Sequence, residues 1–532
     1  MTTLPDIVIG SGPSGVAAAH ALLARGRRVL MIDAGYNLEP ERAAALNAYL
    51  ETPAAQRTPR PAWVEESDRE ASNAIPKKLL FGSEFPFAGA EEHLGLRTEG
   101  VGLKPSLAVA GLSNVWGAAL APYAPKDTQD WPVGADELAP HYRAALELTG
   151  MSAALDDLEK LLPLHAEQFG DLGLSNQAAA LAKTLNRNAE ALKSEGVHFG
   201  RARVAIRANP NAEQQACVKC GQCLSGCPFD QIYSANWTLN ELRHRTNFEY
   251  RSDIIIQRVE ETQTHTAAHG YERTSRAPIS LNAERIFLAC GVVPTTRILL
   301  NSTANYDCTA IIKDSQYFLV PLLLNSSVSG ARKEQLHTLC QLFLEIDDPD
   351  ISPHLIQAQV YSYNSLITAK LNGVMGPIAK LAPALRSIGE NRLMLIQAYL
   401  HSNHSSAIEA KLHRDGRYEL SARINPEAKE RANKLAAKLF KLAPKLGATP
   451  ILPMLELGEP GRGFHAGGSF PMSAAPSDME TDTLGRPFGW KHIHAVDATI
   501  LPSIAATTIT LPVMANAHRI ASYADTMEAP HH

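Results

Sequence analysis

Between residues 6 and 35, apolar and polar positions fall into a short, ordered series. An apolar run, Ile7-Val8-Ile9, gives way to the turn Gly10-x-Gly12-x-x-Gly15, then an Ala-rich stretch to about Arg25, then Val29 to Ile32 ending in Asp33. This order predicts strand, helix and second strand. Asp136 to Leu148 has the period of an amphipathic helix. Ala410 to Ile424 alternates and is broken by Asp415-Gly416, the signature of a hairpin. Asn425 and Pro426 then read as the cap and first position of a helix. That helix carries Lys434, Lys438, Lys441 and Lys445 on one side and Leu435, Leu439 and Leu442 on the other, a solvated face over a packed one. The longest apolar run is Phe318 to Leu324. Two stretches give weaker signals. Residues 36–105 have little periodicity and several prolines. Leu366 to Ile388 sets Lys370, Lys380 and Arg386 among apolar residues, with Gly373, Gly376, Pro377 and Pro383 interrupting any helix. The second reads as a buried or lid segment, with a membrane-surface patch or a docking face for a redox partner as the alternatives.

Composition narrows the classes. The 532 residues are 45% hydrophobic and 20% charged, which excludes wholesale disorder, a collagen repeat and a coiled-coil rod. At about 150 residues per domain the length amounts to three or four domain-sized units. Fifty Lys and Arg against 55 Asp and Glu leave a net charge of −5, so the basic excess of a nucleic-acid binder is missing. The run Phe318 to Leu324 is far short of the roughly 20 residues that span a bilayer. The first apolar run leads into a glycine turn rather than a cleavage site, so no export signal is read and a reducing cytoplasm is expected.

The glycine turn has the parts of a dinucleotide site. Gly10 permits the tight turn, Gly12 lets the backbone approach a pyrophosphate, and Gly15 lets helix and strand pack closely. The helix start offers free N–H groups to phosphates. Asp33, 18 residues past Gly15, stands where a carboxylate accepts hydrogen bonds from ribose hydroxyls. This unit alone does not separate FAD from NAD.

Four of the seven cysteines, Cys217, Cys220, Cys223 and Cys227, form C-x2-C-x2-C-x3-C-P. That is the bacterial ferredoxin spacing for an iron–sulfur cluster, with Gly221 and Gly226 allowing cramped turns. All four could hold one [4Fe–4S] cluster, the favoured reading, or three a [3Fe–4S] cluster with one left free. Zinc and a metal-free loop are the competing readings. Cys290, Cys308 and Cys340 read as structural.

Further segments resemble the glucose–methanol–choline (GMC) family of flavoprotein oxidoreductases. Val109 to Pro132 (VAGLSNVWGAALAPYAPKDTQDWP) is similar to the family's flavin loop. His465-Ala-Gly-Gly468-Ser469 with Pro471-Met472 is similar to its active-site element. His494-Ala-Val-Asp497-Ala, Pro502 and a helix ending near Arg519 resemble its closing flavin segment, and Arg285 to Asn301 its returning strand and turn. A subset of bacterial members carries a cysteine-rich insertion where this chain has Cys217 to Cys227.

The resemblance implies an α/β fold, α+β overall. A Rossmann-type FAD domain would come from residues 1–35, 100–150, 230–300 and 460–532, with a flavin-covering insertion at 36–99. An iron–sulfur loop at 210–235 and a sheet-based substrate domain at 310–455 would complete it. Ser113, Asn114 and Asp497 would join Gly10, Gly12, Gly15 and Asp33 in holding FAD. Relatives with covalent FAD have a histidine where this chain has Val115, before Trp116, so FAD is expected to be non-covalent. The family's second active-site His or Asn falls on Thr508, or on Thr507 if the register slips by one. A threonine hydroxyl orients but is no base near neutral pH, which leaves His465 as the sole base. The implied activity is oxidation of a CH–OH group in a sugar, polyol or sugar-bearing metabolite. Because FAD releases two electrons and a cluster carries one, a protein or quinone acceptor is favoured over oxygen. An oxygen-using alcohol oxidase with a structural cluster, and a non-catalytic electron-transfer module, are the alternatives.

Overall fold

The computed structural model describes residues 4–71, 78–210, 215–364, 367 and 390–525. The chain is a mixed α/β protein, with four sheets among the described residues. Strands Ile493–Ala495, Ile286–Leu288, Asp6–Ile9, Val29–Ile32 and Phe248–Arg251 lie in that order, every neighbour parallel. Asp6–Ile9 and Val29–Ile32 are buried throughout, as the inner strands of a parallel sheet must be. The helix Pro13–Ala24 begins with proline at its first turn, where the missing N–H costs nothing. It packs on the helix Thr510–Tyr523, which in turn packs on Ala135–Thr149. A three-stranded antiparallel sheet, Ile254–Glu261, Thr266–Glu272 and Pro278–Ala283, flanks this layer.

The second large sheet has seven strands. Its order is Ala448–Pro450, Tyr317–Leu324, Leu393–Tyr399, Ile356–Ser362, Leu342–Ile346 and Val197–Arg201, with Glu456–Leu457 also on Tyr317–Leu324. Val197–Arg201 comes from before the cysteine loop, so the sheet reaches outside the 310–455 division read from sequence. One face packs Phe318, Val320, Val360 and Ile396 against Leu181 and Leu185 of the helix Asn176–Arg187 and Leu435 and Leu439 of Glu427–Lys441. The other face looks into the interior cavity, so both sides of Tyr317–Leu324 are covered. This explains why its sequence reads as an unbroken apolar run.

A further sheet joins Ala466–Gly467, Thr309–Asp314, Ala407–Leu412, Tyr418–Arg423 and Leu96–Glu99. It contains the predicted hairpin, Ala407–Leu412 with Tyr418–Arg423. Leu96–Glu99 adds to it from residues 36–99, which also form helices Pro40–Glu51 and Ala62–Ala71. Asn425 Oδ1 accepts from Glu427 N at 3.0 Å, but the helix Glu427–Lys441 has Pro426 at its N-cap, so the predicted cap and first position each lie one residue early. On that helix Lys434 pairs with Glu430 at 2.7 Å and Lys438 pairs with Asp348. Of Leu366 to Ile388, read above as a lid, all but Ile367 lie outside the described residues. Among the described residues no helix is long and apolar enough to cross a membrane.

Candidate active site

A cavity of about 1160 Å³ runs between the parallel sheet and the seven-stranded sheet, above the roughly 300–1,000 Å³ of sites for one small molecule. The glycine turn opens into it. Gly10 takes φ +103°, and a Cβ there would sit 2.5 Å from Ala289 O. A Cβ on Gly15 would fall 1.9 Å from Gly10 O, so helix and strand close up only without it. Gly12 differs: its Cβ would meet only Gly111 Cα, at 4.0 Å, leaving open cavity in front of the helix start. That is the cradle a pyrophosphate fits, with Pro13 and Ser14 of the helix N-terminus in the wall.

Asp33 ends the second strand and lines the cavity. It accepts from Ser11 N at 2.9 Å, from Gly35 N at 2.8 Å and from the Ser11 hydroxyl. Burial pushes its carboxyl up, and these donors pull it back down. Ser11 Oγ also accepts from Ala110 N at 2.9 Å, tying the glycine turn to the loop that follows Val109. In that loop Asn114 Nδ2 donates to Val109 O at 2.8 Å and Gly111 O at 2.7 Å, with its side chain in the cavity wall. Ser113 Oγ donates to Ala110 O at 2.6 Å and accepts from Ala235 N at 2.9 Å, so it fixes the loop. Val115 and Trp116 line the cavity.

Asp497 is also in the wall, but its oxygens are engaged within the protein. It accepts from Gly291 N at 2.8 Å, Thr295 Oγ1 at 2.5 Å, Thr499 N at 2.9 Å and the Thr499 hydroxyl. Its part is to anchor the start of the helix Val292–Ser302, whose Gly291 and Val292 face the cavity.

His465 stands before the short strand Ala466–Gly467 and lines the same cavity. Its carbonyl accepts from Ser315 N at 2.9 Å, and its ring stacks on Tyr399 at 4.6 Å between centroids, 18° from parallel. The residue before it, Phe464, is held at φ +59°, a left-handed conformation that a bulky side chain takes only under constraint. Burial, then the charge of Lys78, lowers the imidazole to about 3, so the ring is neutral near pH 7. His465 Nδ1 is buried without a partner among the described residues. Thr508 Oγ1 is buried and unpartnered too, and Thr508 lines the cavity. Thr507 is not in the cavity wall.

Several cavity residues were not singled out from sequence: Tyr317, Gln359, Tyr361, Gln397 and Tyr399 from the seven-stranded sheet, and Lys78 and Arg462. The strand residues carried a readable signal. Gln359 and Tyr361 alternate with Ala358 and Val360, and Gln397 and Tyr399 with Ile396 and Ala398. A polar face on a buried strand marks a wall.

The cysteine loop packs against the same cavity, with Cys223 and Cys227 in its wall. Gly226, at φ +114°, lets the loop lie against the Phe81 ring, which a Cβ would approach to 2.7 Å. Gln222 ties the loop to the 36–99 region through Trp63 Nε1 at 3.2 Å and Tyr49 Oη at 3.0 Å. Burial raises all four thiols, Cys220 to about 11, and for Cys220, Cys223 and Cys227 repulsion from their neighbours in the loop adds to it. Lys219 N donates to Cys217 Sγ at 3.4 Å and Gln231 N to Cys227 Sγ at 3.3 Å. Backbone N–H groups thus reach two of the four thiols. Yet among the described residues no group of three or more His, Cys, Asp or Glu is arranged to hold a metal ion. The cluster rests on the cysteine spacing, not on this arrangement.

Together the parallel sheet with its glycine turn and the antiparallel sheet across the cavity make a mixed α/β fold in two sheet-based parts. Among solved structures, the chain is similar to pyridoxine 4-oxidase from Mesorbium loti, with a TM-score of 0.59 and 14% identity over 98% of each chain. At that identity the likeness is one of fold. No protein-family model matches the chain, and no curated protein does.

Proposed function

We propose that this chain is an FAD-dependent oxidoreductase that oxidises a CH–OH group to a carbonyl. The observation that carries the reading is the placement of His465 and Thr508 in the wall of the cavity into which the Gly10–Gly15 turn opens. Gly12, the helix start, Asp33 and the Asn114 loop would hold FAD, non-covalently because Val115 offers no linking atom. FAD, when bound, supplies the hydride acceptor. Thr508 orients the substrate hydroxyl by one hydrogen bond. The proton of that hydroxyl passes to the neutral His465 imidazole as hydride leaves the carbon, and Tyr399 keeps the ring in place by stacking. A ring held at about 3 is a weak base in the empty cavity; negative charge developing on the substrate oxygen raises its proton affinity. The seven-stranded sheet offers the amide and phenol groups of Gln359, Tyr361, Gln397 and Tyr399 to a polyhydroxy substrate. A small alcohol or sugar is therefore the substrate class, and a reducing cytoplasm the setting.

Cys217, Cys220, Cys223 and Cys227 would hold an iron–sulfur cluster, [4Fe–4S] or, with three ligands, [3Fe–4S]. There it would supply one-electron capacity and favour a protein or quinone acceptor, making the enzyme a dehydrogenase. The second reading is an oxidase that passes electrons to oxygen, with any cluster structural. Iron content of anaerobically purified protein separates the two: three or four irons per flavin support the dehydrogenase, and none supports the oxidase. His465→Ala tests the oxidation itself. The variant should keep its flavin and lose about 100-fold or more in the rate of flavin reduction by alcohol, the usual range for removing a general base. Reduction at the wild-type rate removes His465 from the mechanism.

A further inference from the structure

The helix Val292–Ser302 has residues in two cavities. Val292, Val293, Pro294 and Ile298 line the one described above, and Arg297 lines a second, open pocket of about 730 Å³ that shares no lining residue with it. Arg297 is only 8% exposed. Its Nε donates to Leu94 O at 2.9 Å. Among the described residues Nη1 and Nη2 have no hydrogen-bond partner, and no carboxylate lies within ion-pair distance of the guanidinium. Neither nitrogen is sealed from solvent, so that end of the side chain opens on the pocket.

The rest of the wall is preformed. A register shift between Ile256 and Arg258 leaves Gln257 as a bulge in the pocket wall. Gly270 lies bare beside it, where a Cβ would fall 1.8 Å from Ile255 O. Tyr271 Oη shares a hydrogen bond of 2.9 Å with His93 Nδ1, and His93 Nε2 one of 2.9 Å with Tyr36 Oη, which fixes the Tyr271 ring. The other charges of the wall are engaged or exposed. Arg276 pairs with Glu92, Arg417 pairs with Asp415 at 2.8 Å, and Arg97 stands in register with Glu419 of the adjoining strand. Glu91 is exposed. A guanidinium taken out of water without a counter-charge is costly. An anion entering from solution would offset that cost.

We propose that this pocket binds the carboxylate or phosphate group of a small organic anion end-on to Arg297 Nη1 and Nη2, at a site separate from the cavity that holds His465. With Nε taken by Leu94 O, the Nη1–Nη2 edge is the fork that remains, and its two N–H donors match two oxygens of such a group. The Tyr271 ring and the Gln257 amide are placed to receive the molecule that carries it.

The test is calorimetric titration of the flavin-loaded protein, at constant ionic strength in chloride, with inorganic phosphate, phenyl phosphate, benzoate and the neutral benzamide. At least one oxyanion should bind about tenfold or more tighter than benzamide, as a charge-assisted pair provides. Arg297→Met should lose that margin and keep its flavin, and Arg297→Lys, with the charge but not the fork, should fall between. Whether phosphate or carboxylate is preferred identifies the group. A second measurement needs no variant: phenylglyoxal should label Arg297 in the wild-type chain, read by peptide mass, and the saturating anion should suppress that label. It decides the matter if the substituted chains do not fold. No oxyanion binding, benzamide binding as well as the anions, or Arg297 unlabelled or labelled regardless of anion overturns the proposal. Anion affinity unchanged in Arg297→Met overturns it too, and would assign the anion to another site such as the flavin cavity.

Discussion

Two glycines three residues apart should fail in different ways when each is given a methyl group. Gly15→Ala places a Cβ 1.9 Å from Gly10 O and 3.3 Å from Ala289 Cβ, and the first of these is backbone that cannot rotate aside. Helix and strand must separate, at the roughly 1–3 kcal/mol typical of overpacking, whether or not a cofactor is bound. Gly12→Ala meets no such obstacle. Gly12 sits at φ −67°, ψ 179°, which alanine adopts freely, and its Cβ would find only Gly111 Cα at 4.0 Å. Reduced freedom of the unfolded chain gains about 0.4–1 kcal/mol, against a few tenths lost at the cap position, so the empty protein should be about as stable as wild type. Its methyl group occupies the space where a pyrophosphate would meet the helix start. Displacing one or two charge-assisted hydrogen bonds of about 1.5–3 kcal/mol each should weaken FAD by about 100-fold. The assay is thermal unfolding of the apoprotein and of protein saturated with FAD, with the dissociation constant from flavin fluorescence. Gly12→Ala should melt with wild-type apoprotein and lose most of the FAD-induced shift, while Gly15→Ala should melt lower in both states. Wild-type FAD affinity in Gly12→Ala would refute the placement of the dinucleotide.

Three further outcomes follow from the same geometry. Thr508→Val should slow flavin reduction by about tenfold, the loss of one hydrogen bond, while Thr507→Val leaves it within about twofold; equal effects would contradict the assignment. Both hydroxyls are unpartnered, so neither change should destabilise the fold. His141, His337, His401, His465, His494 and His518 are all held near 3 or 4 by burial, so between those values and 6.5 the unfolded chain binds more protons and stability rises with pH. Glu345 and Asp314, raised to about 8 and 7, oppose this, since the fold binds more protons there. His20, His93, His165, His198 and His404 are lowered as well and Asp33, Asp156, Asp230 and Asp497 raised, so eleven histidines stand against six carboxyls; the melting temperature should fall from pH 6.5 to pH 5, and a flat or rising profile would contradict the burial of these rings. Arg519, fully buried, donates to Glu137 Oε1 at 2.8 Å, to Asn516 Oδ1 at 3.0 Å and to Thr483 O. Arg519→Met should cost about 3 kcal/mol in chemical denaturation, and under about 1 kcal/mol would show the pair to be dispensable.

The parts legible in the sequence are those specified by local chemistry. The glycine turn requires Gly10 at positive φ and a bare Gly15, and those demands are met within six residues of chain. The hairpin at Asp415-Gly416 and the helix start at Asn425-Pro426 are equally local. In the facing wall the alternation of Gln359 and Tyr361 with apolar neighbours was legible, but what it faces was not, because the wall is made by pairing distant strands. Gln359 and Tyr361 reach the cavity only when Ile356–Ser362 pairs with Leu393–Tyr399. Val197–Arg201 joins the same sheet from more than a hundred residues away. Asp497 and Ser113 show the opposite gap. Both line the same cavity as the glycine turn, and the hydrogen bonds they make among the described residues are to protein, which residue type alone does not announce. Lys78 lacked any signal, being one lysine in a stretch of weak periodicity that only folding brings beside His465.

The most direct test of the central claim is to identify and count what acid releases from the purified protein. The account predicts one FAD per chain, free in the supernatant once the protein is precipitated. A protein without flavin, or flavin that stays with the precipitate, would contradict it.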